Sequence, residues 1–150
     1  MKGTDMTWEQ LKAEKSGTIL HDVFEDGIRF IVMRGPCSLC AYVGVPLDHP
    51  LAGFPYDDLS VNAHGGLTFA SEGDGENGIY RPKDFYWYGW DYSHCGDCPF
   101  YHDEMPRLYT GEDKKWLVQD VIEDSWETTE DFKQLVRLAE KIREKNAIKS

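Results

Sequence analysis

Short apolar runs broken by turn residues occupy most of the chain, and a helical repeat occupies its end. From Thr18 to Phe24, and again from Ile28 to Met33, the residues are rich in Ile, Val and Phe. Glu25-Asp26-Gly27 separates these runs as a turn would, so the spacing predicts a β-hairpin. CAYVGV, Cys40 to Val45, predicts a third strand, stopped at Pro46 because proline brings no N–H to a ladder. LTF, after Gly66, predicts a fourth strand, and FYWYGWDY, Phe85 to Tyr92, a fifth. The run KKWLVQDVIE, ending at Glu123, reads as a sixth strand or as the start of a helix.

The period changes near the C-terminus. Phe132, Leu135, Val136, Ala139 and Ile142 recur at helical spacing, with Thr128 placed to cap and Asp131 at the third helical position. Glu130 and Asp131 fall in the first turn, while Lys141, Arg143 and Lys145 come toward the end, which suits the helix dipole. This predicts an amphipathic helix over about 128–145, laid on one face of the sheet. Near the N-terminus, Thr7 and Gln10 have capping-box spacing, and Trp8 and Leu11 give the short helix after them one apolar side. Ser71 to Gly78, SEGDGENG, reads as a polar, flexible loop. The expectation is a single α+β domain over 1–150, mostly an antiparallel sheet, with its motif core at about 37–98.

A chain of 150 residues with 41% apolar content suffices for one core. The N-terminal residues carry no apolar leader, and no run approaches the ~20 apolar residues of a membrane span, so the protein is expected to be cytoplasmic, with no membrane partner. The formal net charge of -11 argues against direct nucleic-acid binding. Between Arg34 and Arg81 there is no Lys or Arg, while Asp48, Asp57, Asp58, Glu72, Asp74 and Glu76 fall inside that span, which favours cations over anions.

Candidate chemistry centres on two stretches. In VNAHGGLTFA, His64-Gly65-Gly66 precedes Thr68 and the fourth strand. Two glycines there suggest a tight turn, a bulge, or a surface against which something packs. His64 reads either as a structural histidine at a hairpin turn or as a ligand. In WDYSHCGDCPFYHDE, Asp91, His94 and Asp97 are spaced by three, so one bend of chain can present carboxylate and imidazole together. With His64 they compose a mixed divalent-metal set with an open position; the alternative is a loop whose polar side chains satisfy its own turns.

A second constellation competes for the same residues. Cys37 and Cys40, then Cys95 and Cys98, form two CxxC pairs that use all four cysteines, the ligand set of a tetrahedral zinc site if the sheet brings the pairs together. Buried thiols or a redox pair are the alternatives. Trp87 and Trp90 lie in the aromatic run, which serves as core or as a stacking platform. Strand alternation sets Tyr86, Tyr88, Trp90 and Tyr92 on one side and Phe85, Trp87, Gly89 and Asp91 on the other, leaving a notch above Gly89 beside Asp91. No GxSxG, GxxxxGK[ST], HExxH or GxGxxG is present.

The order CAYVGVPLDHPLAGFPYDDL, VNAHGGLTFA, WYGWDYSHCGD resembles small phage and prophage proteins with a VPxxHPxxG, HGGLT and tryptophan-rich GFDxxHxGD pattern. The resemblance covers about Cys40 to Asp97 and draws attention to Cys40, His49, Pro50, Gly53, Tyr56, Asp57, His64, Gly65, Gly66, Leu67, Thr68, Gly89, Asp91, His94, Gly96 and Asp97. Ala41 and Trp90 depart from its glycine and phenylalanine, and Cys37, Cys95 and Cys98 lie outside the pattern. It implies a phage origin; taken with the residues above, the expectation is a phage accessory protein in the host cytoplasm, binding a small ligand or a host-defence protein at a pocket around His64, Gly65, Gly66, Asp91 and His94, flanked by Trp87 and Trp90. The residues alone also support a metal-dependent hydrolase using the His and Asp cluster, or an interaction domain stabilised by zinc at the four cysteines.

Overall fold

The computed structural model of the chain describes residues 2–73, 81–101 and 113–149. Five antiparallel strands, β1 (Ile19–Glu25), β2 (Ile28–Arg34), β3 (Leu39–Pro46), β4 (Phe69–Glu72) and β5 (Phe85–Asp91), form one sheet in the order β1-β2-β3-β5-β4. Among the described residues, three α-helices accompany it: α1 (Trp8–Ala13), α2 (Val118–Asp124) and α3 (Trp126–Lys149). The α+β expectation holds, as do the first hairpin, the third strand and the fifth. The predicted loop over Ser71 to Gly78 begins as the end of β4, and 74–78 lies outside the described residues.

The hairpin turn uses Asp26 and Gly27, both at positive φ (53° and 82°), the backbone that closes a tight two-residue connection. At the front of α1 the capping box forms in both directions: Thr7 N–H donates to Gln10 Oε1 at 2.9 Å, and Gln10 N–H donates to Thr7 Oγ1 at 3.3 Å. At its far end the buried Arg34 guanidinium donates to the carbonyls of Leu11 and Lys12, satisfying acceptors that a helix end leaves open.

Alternation divides the sheet into two apolar faces. Phe30, Val32, Ala41, Val43, Val45, Tyr88 and Trp90 face the helices, where Leu11, Val118, Val121, Phe132 and Val136 complete the main core. Each fully buried large side chain of this kind contributes about 1.5–3 kcal/mol of transfer free energy. The opposite face carries a smaller cluster of Ile31, Met33, Tyr42 and Trp87, with Phe69 and Phe85 against it. Here Trp87 lies over Gly44, and Tyr42 lies over Gly89; a Cβ on either glycine would come within 2.7 Å or 2.5 Å of those rings. The notch expected above Gly89 is therefore filled by Tyr42, its cross-strand partner.

One open alternative is decided and one cap expectation changes. The run ending at Glu123 forms α2, opened by Asp120, whose carboxylate accepts the Leu117 N–H at 3.0 Å. α3 starts at Trp126, with only Ser125 between it and α2. Thr128 therefore sits inside α3, and its hydroxyl donates to the Asn62 carbonyl instead of capping. Among the described residues, no helix is long and apolar enough to cross a membrane.

Candidate metal centre

β5 delivers the first half of the site. Where the strand ends, Asp91 Oδ1 accepts from Ser93 N–H at 3.1 Å and Ser93 Oγ at 2.8 Å, turning the chain. The next bend closes on itself: Asp97 N–H donates to the His94 carbonyl at 2.9 Å, and His94 N–H donates to Asp97 Oδ2 at 2.9 Å. His94 and Asp97 are thereby locked on one turn, with Gly96 at φ 93° relieving it.

The second half comes from the loop before β4. Gly66 N–H donates to the Ala63 carbonyl at 2.9 Å, and Gly65 and Gly66 adopt φ 69° and 85°. This turn projects His64 toward the 94–97 bend. Gly65 is also where the two halves touch, since a Cβ there would lie 2.3 Å from the His94 ring. The surface that two glycines suggested is the seat of His94. The loop is fastened to the start of α3: Asn62 N–H donates to Asp131 Oδ2 at 2.9 Å, Asn62 Nδ2 donates to Glu127 Oε1 at 2.9 Å, and Thr128 donates to the Asn62 carbonyl.

His64, His94 and Asp97 thus gather into a group suited to holding a metal ion, with one ligand atom from each lying within 4.8 Å of the others. His64 Nε2 is 2.7 Å from Asp97 Oδ2, and His94 Nδ1 is 3.8 Å from the same oxygen. Asp91 Oδ1 stands 3.7 Å from His94 Nδ1. That nitrogen is buried and has no hydrogen-bond partner among the described residues, while Asp97, itself buried, accepts the Trp116 indole N–H at its other oxygen at 2.8 Å. A buried ring nitrogen without a partner, beside a carboxylate and a second imidazole, is chemistry that fits a metal ligand.

Aromatic rings wall the group. His64 stacks on Tyr92 at 4.5 Å and meets Trp116 edge-on at 5.0 Å. The Tyr92 hydroxyl donates to Asp124 Oδ2 at 2.9 Å, and burial holds that phenol protonated well above its ordinary range. Asp124 Oδ2 lies 3.9 Å from His64 Nδ1. On that side an open cavity of about 220 Å³ is lined by Asn62, Ala63, His64, Asp124, Glu127 and Thr128.

The other predicted residues are placed as follows. Thr68 is exposed and its N–H donates to the Gly89 carbonyl. Trp90 is core on the helix side, and its indole donates to the Tyr92 hydroxyl at 3.2 Å; Trp87 lies on the opposite face and donates to the Pro82 carbonyl at 2.9 Å, so the two tryptophans do not flank one pocket. His49 is structural, accepting the Leu51 N–H at Nδ1 and meeting Glu140 at Nε2.

The four cysteines form no disulfide and none belongs to the ligand group. Cys40 projects from β3 on the small-cluster side, where burial, then Asp91, pushes its thiol up to about 12. Cys95 is exposed, and Cys98 is buried with its thiol directed to the Pro99 carbonyl. Trp116 and Asn62 carry no site signal in the sequence. Trp116 shows only as one apolar residue of a run, whereas Asp124, with Glu123 and Glu127, reads from the sequence as an acidic surface for a host-defence protein. Comparison with known protein families, curated proteins and solved structures returns no match.

Proposed function

We propose that this protein binds one divalent transition metal, zinc by ligand type, through His64 Nε2, His94 Nδ1 and Asp97 Oδ2, and that the centre is hydrolytic. The observation that carries this is the convergence of His64 Nε2 and of a buried His94 Nδ1, without a hydrogen-bond partner among the described residues, on the single oxygen Asp97 Oδ2. Structural zinc sites are closed by four protein ligands, whereas three protein ligands are the count of a site that keeps a position for water or substrate. A metal held there supplies an acidified water, with a pKa near about 7 in such sites. Binding replaces the proton that His64 Nε2 shares with Asp97. Asp124 and Glu127, which line the cavity on the Nδ1 side of His64, add negative charge that favours neutral or cationic substrates over phosphates.

A second reading keeps the proton. His64 Nε2 then donates to Asp97, leaving Nδ1 on the cavity side as a base without metal; Asp124 Oδ2, 3.9 Å from Nδ1, would stabilise the proton it takes up. Resemblance to phage proteins adds a third possibility, that the cavity holds a ligand or host-defence component without turning it over.

The deciding experiment is elemental analysis of protein purified without chelator or nickel, on the parent, His94→Ala and Cys95→Ser. The metal reading expects about one metal per chain in the parent and in Cys95→Ser, and none in His94→Ala. Metal lost only with Cys95→Ser would restore the cysteine site, and no metal in the parent would leave the histidine base or the binding protein. Turnover against saturation at fixed stoichiometry separates those two.

A further inference from the structure

We propose that Trp116 is the positioning residue that confines this centre to small, four-coordinate metals; the inference rests on the metal reading above. Asp97 has two oxygens, and the structure treats them differently. Oδ1 accepts the Trp116 indole N–H at 2.8 Å, while Oδ2 faces both histidines. An indole nitrogen is a donor only, so this contact turns Oδ1 toward Trp116 and leaves Oδ2 facing the histidines. Asp97 is thereby aimed to meet a metal through Oδ2. Calcium takes six to eight oxygens, often with bidentate carboxylates, and cannot be served by one carboxylate oxygen and two imidazoles. Zinc is served well by that set.

Trp116 is itself held from three sides. The chain around it is paired to the ligand bend, with Lys114 N–H donating to the Gly96 carbonyl at 2.8 Å and Cys98 N–H donating to the Lys114 carbonyl at 2.8 Å. The Lys114 ammonium lies 4.0 Å above the indole, and Tyr92 packs on it at 4.6 Å. A ring pinned in this way fixes the carboxylate rotamer before any metal arrives, the role that hydrogen-bond partners of ligands have in metal sites.

The test compares parent and Trp116→Phe, which keeps a ring and removes the N–H, in titrations with Zn²⁺, Co²⁺ and Ca²⁺. The expected result is a 10- to 100-fold loss of zinc affinity, the range found when such partners are removed. With it, the Co²⁺ visible spectrum should change from strong four-coordinate bands to the weaker bands of higher coordination, as Asp97 becomes free to bind through both oxygens. Unchanged affinity and spectrum would overturn the proposal while leaving the metal reading intact. Weaker binding with an unchanged Co²⁺ spectrum would also overturn it, reducing Trp116 to packing. A parent that binds no metal would overturn both. Should Trp116→Phe fail to fold, benzothienylalanine at position 116 makes the same comparison, since it replaces the N–H by sulfur within the same bicyclic shape.

Discussion

His64 and Asp97 meet at 2.7 Å across 33 residues of chain, and this contact ties the loop before β4 to the bend after β5. Three donors converge on the Asp97 carboxylate: the His64 ring, the His94 backbone and the Trp116 indole. Asp97→Asn keeps the shape but turns one acceptor oxygen into a donor. Whichever way the amide lies, its NH₂ faces at least one of these N–H groups. The expected result is loss of the bound metal and a stability decrease of about 1–3 kcal/mol, the cost of a buried donor left unsatisfied. Metal stoichiometry and a urea midpoint check the two parts. Full metal retention would remove Asp97 from the ligand set.

Adjacent glycines should behave differently. Gly65 needs both its positive φ and its missing side chain, because the His94 ring occupies the space where a Cβ would go; Gly66 needs only the φ, with nothing within 4 Å. Gly66→Ala should cost about 1–2 kcal/mol of backbone strain and leave metal binding in place. Gly65→Ala should pay a similar strain and also displace His94, abolishing metal binding. Equal metal binding by the two variants would show that the His94 seat does not matter.

How much of this was legible follows from the range of the interactions involved. The capping box of Thr7 and Gln10, the Asp26-Gly27 turn and the alternation of β5 are local, and each formed as its spacing predicted. The Thr128 and Asp131 signal failed because both side chains engage Asn62 across the molecule: the hydroxyl meets its carbonyl and the carboxylate meets its N–H. A local pattern cannot reveal that its atoms serve a distant loop. In the site, His64, His94 and Asp97 were visible as metal-ligand residue types near glycines. Trp116 was not, because its role depends on a β-bridge that places residue 114 beside residue 97. Trp87 and Trp90 alternate as foreseen, yet alternation alone does not say which face of the sheet carries chemistry.

The cysteines offer a test independent of metal analysis. Cys95 is exposed, whereas Cys40 is held as a thiol with its pKa near 12 and packs against Gly35, where a Cβ would lie 2.5 Å from its sulfur. Alkylation follows the thiolate and its access. At neutral pH, iodoacetamide should modify Cys95 first and leave Cys40 unmodified in the folded protein, as read by peptide mass spectrometry. Modifying Cys95 should leave bound metal unchanged, since its sulfur lies outside the ligand group. Metal release on alkylation would return the CxxC pairs to consideration.

Alkali should unfold this protein sooner than acid-base behaviour of an ordinary surface would suggest. Burial raises Cys40 from 9.0 to about 12, and raises Tyr42 and Tyr88 above their ordinary 10.0. The folded state therefore holds these protons more tightly than the unfolded chain does. Their contribution is complete below about pH 9, and it declines as pH rises, first where the unfolded thiol ionises and then where the unfolded phenols do. Each group diminishes stability by up to about 1.4 kcal/mol per pH unit within its window. Melting temperature should hence stay level from neutrality to about pH 9 with respect to these groups and fall beyond it. Cys40→Ala removes the earliest of them, so in that variant the decline should begin nearer the ordinary tyrosine range. A melting temperature that holds or rises between pH 9 and 11 in the parent would show that these side chains are not buried as protonated groups.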